Sequence, residues 1–233
     1  MKSDDDVVWQ VEPPTAKLAL NTTLTGSPSA MLIAMMRGEC EHRQVVLAAG
    51  DGVAELRDIR VDVGDAAPAL DASWSFKQVG YVNCTANADL RGTTDGWFPD
   101  ILLGSSAPGI VVELVPPASI QPLWIELCTA ESASIGNHTG ALTVSGTSVS
   151  PGVAGPTQFK FNVSFLVEVW DILMPKLGSR DSISTAFMLD GDTHAPQTPQ
   201  TRLDGLTKYY PSYHAGSAIQ KRFYRFLADH RIP

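Results

Sequence analysis

The sequence predicts a mainly β protein: an antiparallel β-sandwich followed by one strand and one helix that resemble the start of a truncated (β/α)8 barrel. Three observations lead there. From Phe159 to Pro175 apolar and polar residues alternate almost without a break. Before that stretch, many short apolar runs are separated by turn residues, as in a sandwich. After Pro175 the alternation gives way to a helical pattern.

The long stretch organises the rest. Phe159, Phe161, Val163, Phe165, Val167 and Val169 share one face; Lys160, Asn162, Ser164, Leu166, Glu168 and Trp170 share the other. Side chains on a strand alternate with period two, so this is a strand with one buried and one wet face. Pro175 cannot donate to a ladder, so the strand stops at or before it.

Upstream, Val7–Val11 alternates and ends at Pro13-Pro14. Met31–Met36 and Gln44–Ala49 are apolar strands around a polar link, residues 37–43. Asp51-Gly52 is a hairpin-type signal before the strand Leu56–Val63. Ser73–Val82 alternates around Trp74, Phe76, Val79 and Tyr81, and Asn83–Asp95 reads as a loop. Trp97–Leu103, Ile110–Leu114, Leu123–Leu127 and Ala141–Val144 supply further strands, and Ser145–Pro156 reads as a Ser/Gly/Pro-rich loop. A barrel of antiparallel strands is the structural alternative.

Past Pro175, Ser184–Leu189 is a compact apolar run that suits a strand buried on both faces. Ser217 with Gln220 makes a capping box, and Ile219, Phe223, Phe226 and Leu227 fall on one helical face. The expected domains are therefore a sandwich over 1–175 and a βα unit over 176–233. A complete barrel takes about 250 residues, so one unit would be incomplete alone. Its unpartnered apolar faces point to another chain, or a further C-terminal domain, as the partner of 184–232.

Composition narrows the function classes. The chain has 233 residues, 44% of them hydrophobic, and a net charge of −8. With no basic cluster, nucleic acid is not an expected partner. No apolar run approaches the roughly 20 residues of a membrane helix, so no membrane span is expected. The opening Met-Lys-Ser-Asp-Asp-Asp lacks the apolar core of a signal peptide, which taken alone favours a cytoplasmic protein unless a leader precedes it. Cys40, Cys84 and Cys128 allow at most one internal disulfide, and none sits in a C-x-x-C, so neither a metal nor a redox cofactor is expected. Four of the five asparagines, Asn21, Asn83, Asn137 and Asn162, begin N-x-[S/T]. They read as glycosylation sites and favour a secreted or secretory-pathway glycoprotein.

Several stretches, in order, resemble the N-terminal part of proteins related to glycoside hydrolase family 123. Arg37-Gly38-Glu39-Cys40-Glu41-His42-Arg43-Gln44 is similar to that family's R-[N/G]-E-x-E-x-x-Q. Trp97-Phe98-Pro99-Asp100-Ile101-Leu102-Leu103 is similar to its W-Y-P-D-P-L-L, with Ile101 in place of the second proline. Gln121-Pro122-Leu123-Trp124 resembles its Q-P-x-W, and Thr139-Gly140-Ala141-Leu142-Thr143-Val144 its G-T-V-T-V strand. Val169-Trp170-Asp171-Ile172-Leu173-Met174-Pro175 resembles its V-W-D-F-x-L-P exit, and Leu227-Ala228-Asp229-His230-Arg231-Ile232 its L-x-x-H-R-I. The resemblance implies an N-terminal sandwich followed by a glycosidase barrel. Catalysis there rests on an adjacent Asp-Glu pair and the substrate's own 2-acetamido group, outside the usual two-carboxylate scheme. No Asp-Glu dipeptide occurs in this chain, so no catalytic residue is assigned.

The expected function is the non-catalytic sandwich portion of a glycoside hydrolase-like protein, supporting or positioning a barrel; the alternative is a stand-alone module binding carbohydrate or protein. Candidate carbohydrate contacts are Trp170, which alternation puts on the wet face, the aromatic patch Tyr209, Tyr210 and Tyr213, and the D-G-D-T-H residues Asp190, Asp192 and His194. The last three would lie at the C-terminal end of a first barrel strand, where barrel active sites form. They lack the further ligands of a calcium loop, and a solvated loop is the simpler reading. The other tryptophans, Trp9, Trp74, Trp97 and Trp124, are expected in the core.

Overall fold

The computed structural model describes residues 6–26, 29–64, 70–84, 96–104 and 109–175. The βα unit expected over 176–233 lies outside the described residues, and with it Tyr209, Tyr210, Tyr213, Asp190, Asp192 and His194. Ten strands are described: β1 Val7–Glu12, β2 Met31–Arg37, β3 Cys40–Ala49, β4 Glu55–Val63, β5 Ala72–Cys84, β6 Gly96–Leu103, β7 Val112–Val115, β8 Ile120–Thr129, β9 Gly136–Val149 and β10 Thr157–Leu173. They form two five-stranded sheets, β1-β3-β8-β5-β6 and β2-β10-β9-β4-β7.

The inner faces follow the alternation in the sequence. In β10, Phe159, Val163, Phe165, Val167 and Val169 are buried while Lys160, Asn162, Ser164, Glu168 and Trp170 are exposed. Val45 and Leu47 of β3 and Leu123, Ile125 and Leu127 of β8 face them from the first sheet. Burying side chains of this size stabilises by about 1.5–3 kcal/mol each. Trp9 stacks on Phe161 at 4.9 Å, and Trp74 meets Phe165 at 5.0 Å, so the two sheets are joined by aromatic pairs. Two glycines make room for β10: a Cβ on Gly140 would lie 2.5 Å from the Phe165 ring, and one on Gly146 would lie 2.8 Å from the Phe159 ring and from the Arg57 carbonyl.

Four expectations need correction. The sandwich is not wholly antiparallel, because β2 runs parallel to β10, with Phe165 to Trp170 opposite Met31 to Met36. Asp51-Gly52 does not close a hairpin: β3 and β4 belong to different sheets, and the turn, with Gly52 at φ 79°, carries the chain from one to the other. Residues 40–43 are not a polar link but the first residues of β3, paired with β8. Ser145–Val149 is not loop but the end of a 14-residue β9, held between β4 and β10. Small polar residues suit that site because Gly146 lies under Phe159.

In β4 the register shifts between Arg57 and Arg60, and Asp58 takes φ 51°. The extra residue of this bulge lets Leu56, Ile59 and Val61 all be buried despite their uneven spacing. A strap, residues 13–22, crosses the outer face of the first sheet at Gln44, Tyr81 and Ile120. The buried Gln44 turns its Nε2 to the carbonyls of Pro13, Pro14 and Ala16 at 3.0, 3.2 and 3.0 Å. Tyr81 donates its hydroxyl to Leu18 O, and Ile120 N–H donates to Leu20 O. Burial under the strap pushes the Tyr81 phenol up to about 12.

Candidate functional site

Beyond the strap, the outer face of the first sheet is open, and pairing of β5, β8 and β3 sets nine residues in three rows. Lys77, Trp124 and Gln44 form the first row; Ser75, Glu126 and His42 the second; Ser73, Cys128 and Cys40 the third. With strands about 4.8 Å apart and alternate residues about 6.8 Å apart, the grid measures roughly 10 by 14 Å. Cys40 and Cys128 are disulfide-bonded across the strands, closing one end, and Gln44 with the strap closes the other. Cys84 is free and exposed.

The middle row is bonded through its carboxylate. Ser75 donates its hydroxyl to Glu126 Oε1 at 2.9 Å, and His42 Nε2 lies 3.1 Å from Glu126 Oε2. Burial alone would raise the Glu126 carboxyl; the Ser75 and His42 hydrogen bonds and the Lys77 and His42 charges outweigh it and hold the group below its ordinary value. An ionised Glu126 accepts from both neighbours, so His42 Nε2 carries the proton in that contact. The His42 ring packs 5.1 Å from the half-buried Trp124 ring.

This trio contains the residue types of a nucleophilic triad in the wrong order. In a working triad the imidazole lies between hydroxyl and carboxylate, so that it can take the hydroxyl proton. Here the carboxylate lies in the middle, and Ser75 donates to it rather than to the imidazole. Glu126 is also the single carboxylate of the grid, whereas glycoside hydrolysis by two carboxylates needs a pair. The arrangement presents an indole, a carboxylate acceptor and the Lys77 ammonium as donor, while the His42 Nε2 proton is engaged by Glu126.

The residues singled out from sequence fall elsewhere. Trp170 is 42% exposed on the outer face of the second sheet, beyond the last β10 residue paired with β9, and Ile172 and Leu173 beside it are exposed too. Trp9 and Trp74 pack against the core as expected, but Trp97 is 48% exposed and Trp124 lies outside the core cluster, which corrects the core assignment of both. Asn21, Asn83, Asn137 and Asn162 are all exposed. An open depression of about 950 Å³ beside Trp9 is lined by Asp58, Arg60, Lys160 and Asn162 among others. Among the described residues no group of three or more His, Cys, Asp or Glu could hold a metal ion, and no helix is long and apolar enough to cross a membrane.

Two of the stretches that carry the family resemblance touch each other. Arg37 pairs with Asp171 at 3.1 Å, and Met174 N–H donates to Arg37 O at 2.9 Å. The sequence reading passed over His42, Ser75, Lys77, Trp124 and Glu126 as site residues. Their signal was parity: with Leu123, Ile125 and Leu127 inside, Trp124 and Glu126 must point out.

No family model matches the chain, and no curated protein matches it. Among solved structures, it is similar to a family 123 glycoside hydrolase from Clostridium perfringens, with TM-score 0.53 and 11% identity, over 72% of this chain and 28% of that one. At that identity the likeness shows the fold. Weaker matches include CfaE, the adhesive subunit of CFA/I fimbria of enterotoxigenic Escherichia coli (TM-score 0.33, 11% identity, 72% of this chain and 50% of that one). Another is AggA, the major subunit of aggregative adherence fimbriae type I of Escherichia coli (TM-score 0.32, 8% identity, 72% and 97%). The chain thus spans little more than a quarter of the glycoside hydrolase it resembles.

Proposed function

We propose that this chain is the non-catalytic N-terminal sandwich portion of a glycoside hydrolase-like protein, and that it positions a catalytic barrel contributed by sequence beyond it. The observation that carries this is the match in fold to the family 123 enzyme over most of this chain but a small share of that one. Two features support it. The polar cluster around Glu126 has one carboxylate, and its serine meets that carboxylate rather than the imidazole. The Arg37–Asp171 pair and the Met174 N–H bond to Arg37 O tie the end of β10 to β2, so the two stretches of the resemblance meet at one end of the sandwich. On this reading residues 1–175 are the sandwich and 176–233 begin the barrel, where 184–232 meets its missing neighbours. The purified chain should then not turn over N-acetylhexosaminides, and turnover that a substitution within these residues abolishes would overturn this reading.

Supporting a secretory location are the Cys40–Cys128 disulfide and the exposure of all four sequon asparagines. Disulfides persist in oxidising compartments.

The native polypeptide tests the proposal. After enzymatic removal of glycans, its mass should exceed 25.0 kDa by the remainder of a barrel of about 250 residues that residues 176–233 begin. That added sequence should contain an adjacent Asp-Glu pair. A native polypeptide of 25.0 kDa with no associated barrel would overturn it. The domain division has its own test: a chain ending at Leu177 should keep a cooperatively folded sandwich, and its unfolding would show one shared core.

A further inference from the structure

The outer grid of the first sheet has a use that positioning a barrel does not require. We propose that Trp124, Glu126, His42 and Lys77 form a binding platform for a neutral oligosaccharide, on the open half of the face that the strap leaves bare.

Four observations carry it. The platform is continuous, because it consists of alternate residues on one face of three adjacent antiparallel strands. It offers one apolar surface, the half-buried Trp124 ring, whose negative face attracts the C–H edge of a sugar ring. Around that ring stand a hydrogen-bond acceptor, Glu126, and a donor, Lys77, and hydroxyl groups need both kinds. The polar groups are already oriented: Ser75 and His42 hold the Glu126 carboxylate, and His42 packs against Trp124, so little ordering remains on binding.

Charge and size decide between ligand classes. The grid brings one ammonium and one carboxylate together, so a strongly charged ligand gains nothing from it overall. Its roughly 10 by 14 Å suits a few linked rings and is far below the 800 Å² per partner of a stable protein interface. The second sheet does not match this set. Its outer face carries Asn137 and Asn162, and a glycan on Asn162 would stand over the depression beside Trp9.

The test uses the full 233-residue chain with its disulfide intact, titrated by calorimetry and tryptophan fluorescence with cellotriose, chitotriose and maltotriose. At least one trisaccharide should bind saturably in the millimolar range or tighter. Trp124→Ala should weaken it tenfold or more, Trp124→Phe less, and Lys77→Ala severalfold. Trp170→Ala and Trp97→Ala should leave it unchanged. Saturable binding lost in Trp170→Ala but kept in Trp124→Ala would overturn the proposal, as would no binding of any of the three sugars. Should Trp124→Ala fail to fold, Lys77→Ala decides: unchanged affinity there overturns it. A missing barrel would leave all these outcomes as they are, so this test and that of the positioning role fail separately.

Discussion

The two outer faces of this sandwich obey the same alternation and yet differ in kind. On the second sheet, Lys160, Ser164 and Glu168 stand out into water, a single cross-strand bond joins Thr143 Oγ1 to Asn162 Oδ1 at 3.0 Å, and two sequons sit among them. On the first sheet, the outward residues are half-buried, bonded to one another, or roofed by a strap. Polarity alone therefore does not tell a solvated face from an organised one. What separates them is whether such cross-strand contacts stay single, as at Thr143 and Asn162, or link several strands, as around Glu126, and that depends on register.

The contrast can be broken by mutation, most severely at the end of the grid. Replacing Cys40 and Cys128 with serine opens an 88-residue separation and should cost about 4 kcal/mol in urea unfolding. Retained stability would show that the β3–β8 ladder alone fixes the face. Next comes the strap. Gln44→Leu keeps the volume but removes the amide facing three carbonyls, and should cost about 1–3 kcal/mol while exposing residues 13–22 to proteases. An unchanged digestion pattern would mean that Tyr81 and the Leu20–Ile120 bond hold the strap without it.

A smaller effect should appear in acid. The Glu126 carboxyl is held below its ordinary value of 4.5, so its contribution is present above that pH and is lost as pH falls through the lower folded value. The groups facing it are Ser75, His42 and Lys77. Glu126→Gln should flatten this part of the pH–stability curve, and a curve that keeps its slope would assign the acid sensitivity to other carboxylates. Smallest of all, Lys160→Ala on the solvated face should change stability by no more than about 0.5 kcal/mol. A larger loss would show that the second sheet's outer face is organised too.

Much of the fold could be read from alternation. Phe159 to Trp170 predicts its own buried and exposed faces, and Pro175 its end. Composition misled where packing overrode it. Ser145–Val149 resembles a loop because its residues are small and polar, but Gly146 is a gap for the Phe159 ring and Ser148 donates to Asp6 Oδ2. Arg37 to Arg43 resembles a link because it is charged, yet Cys40–Arg43 pairs with β8. The site was half legible. Parity puts Trp124 and Glu126 outside, but no local signal sets His42 and Ser75 beside Glu126, since 84 and 51 residues separate them from it. The tryptophan prior also failed at Trp124, because a residue that is usually core can serve as a half-buried platform.

The parallel pairing of β2 with β10 has a consequence for synthesis. Arg37 leaves the ribosome 134 residues ahead of Asp171, its partner across that pair. At about 5–20 residues per second, β2 waits roughly ten seconds for β10, the one strand among the described residues with which it is laddered. During that interval Met31, Ile33 and Met35, later fully covered, have no sheet to enter. Completion of the second sheet is therefore tied to arrival of the last strand, and a nascent chain stalled before β10 presents an apolar edge to whatever chaperone is nearest.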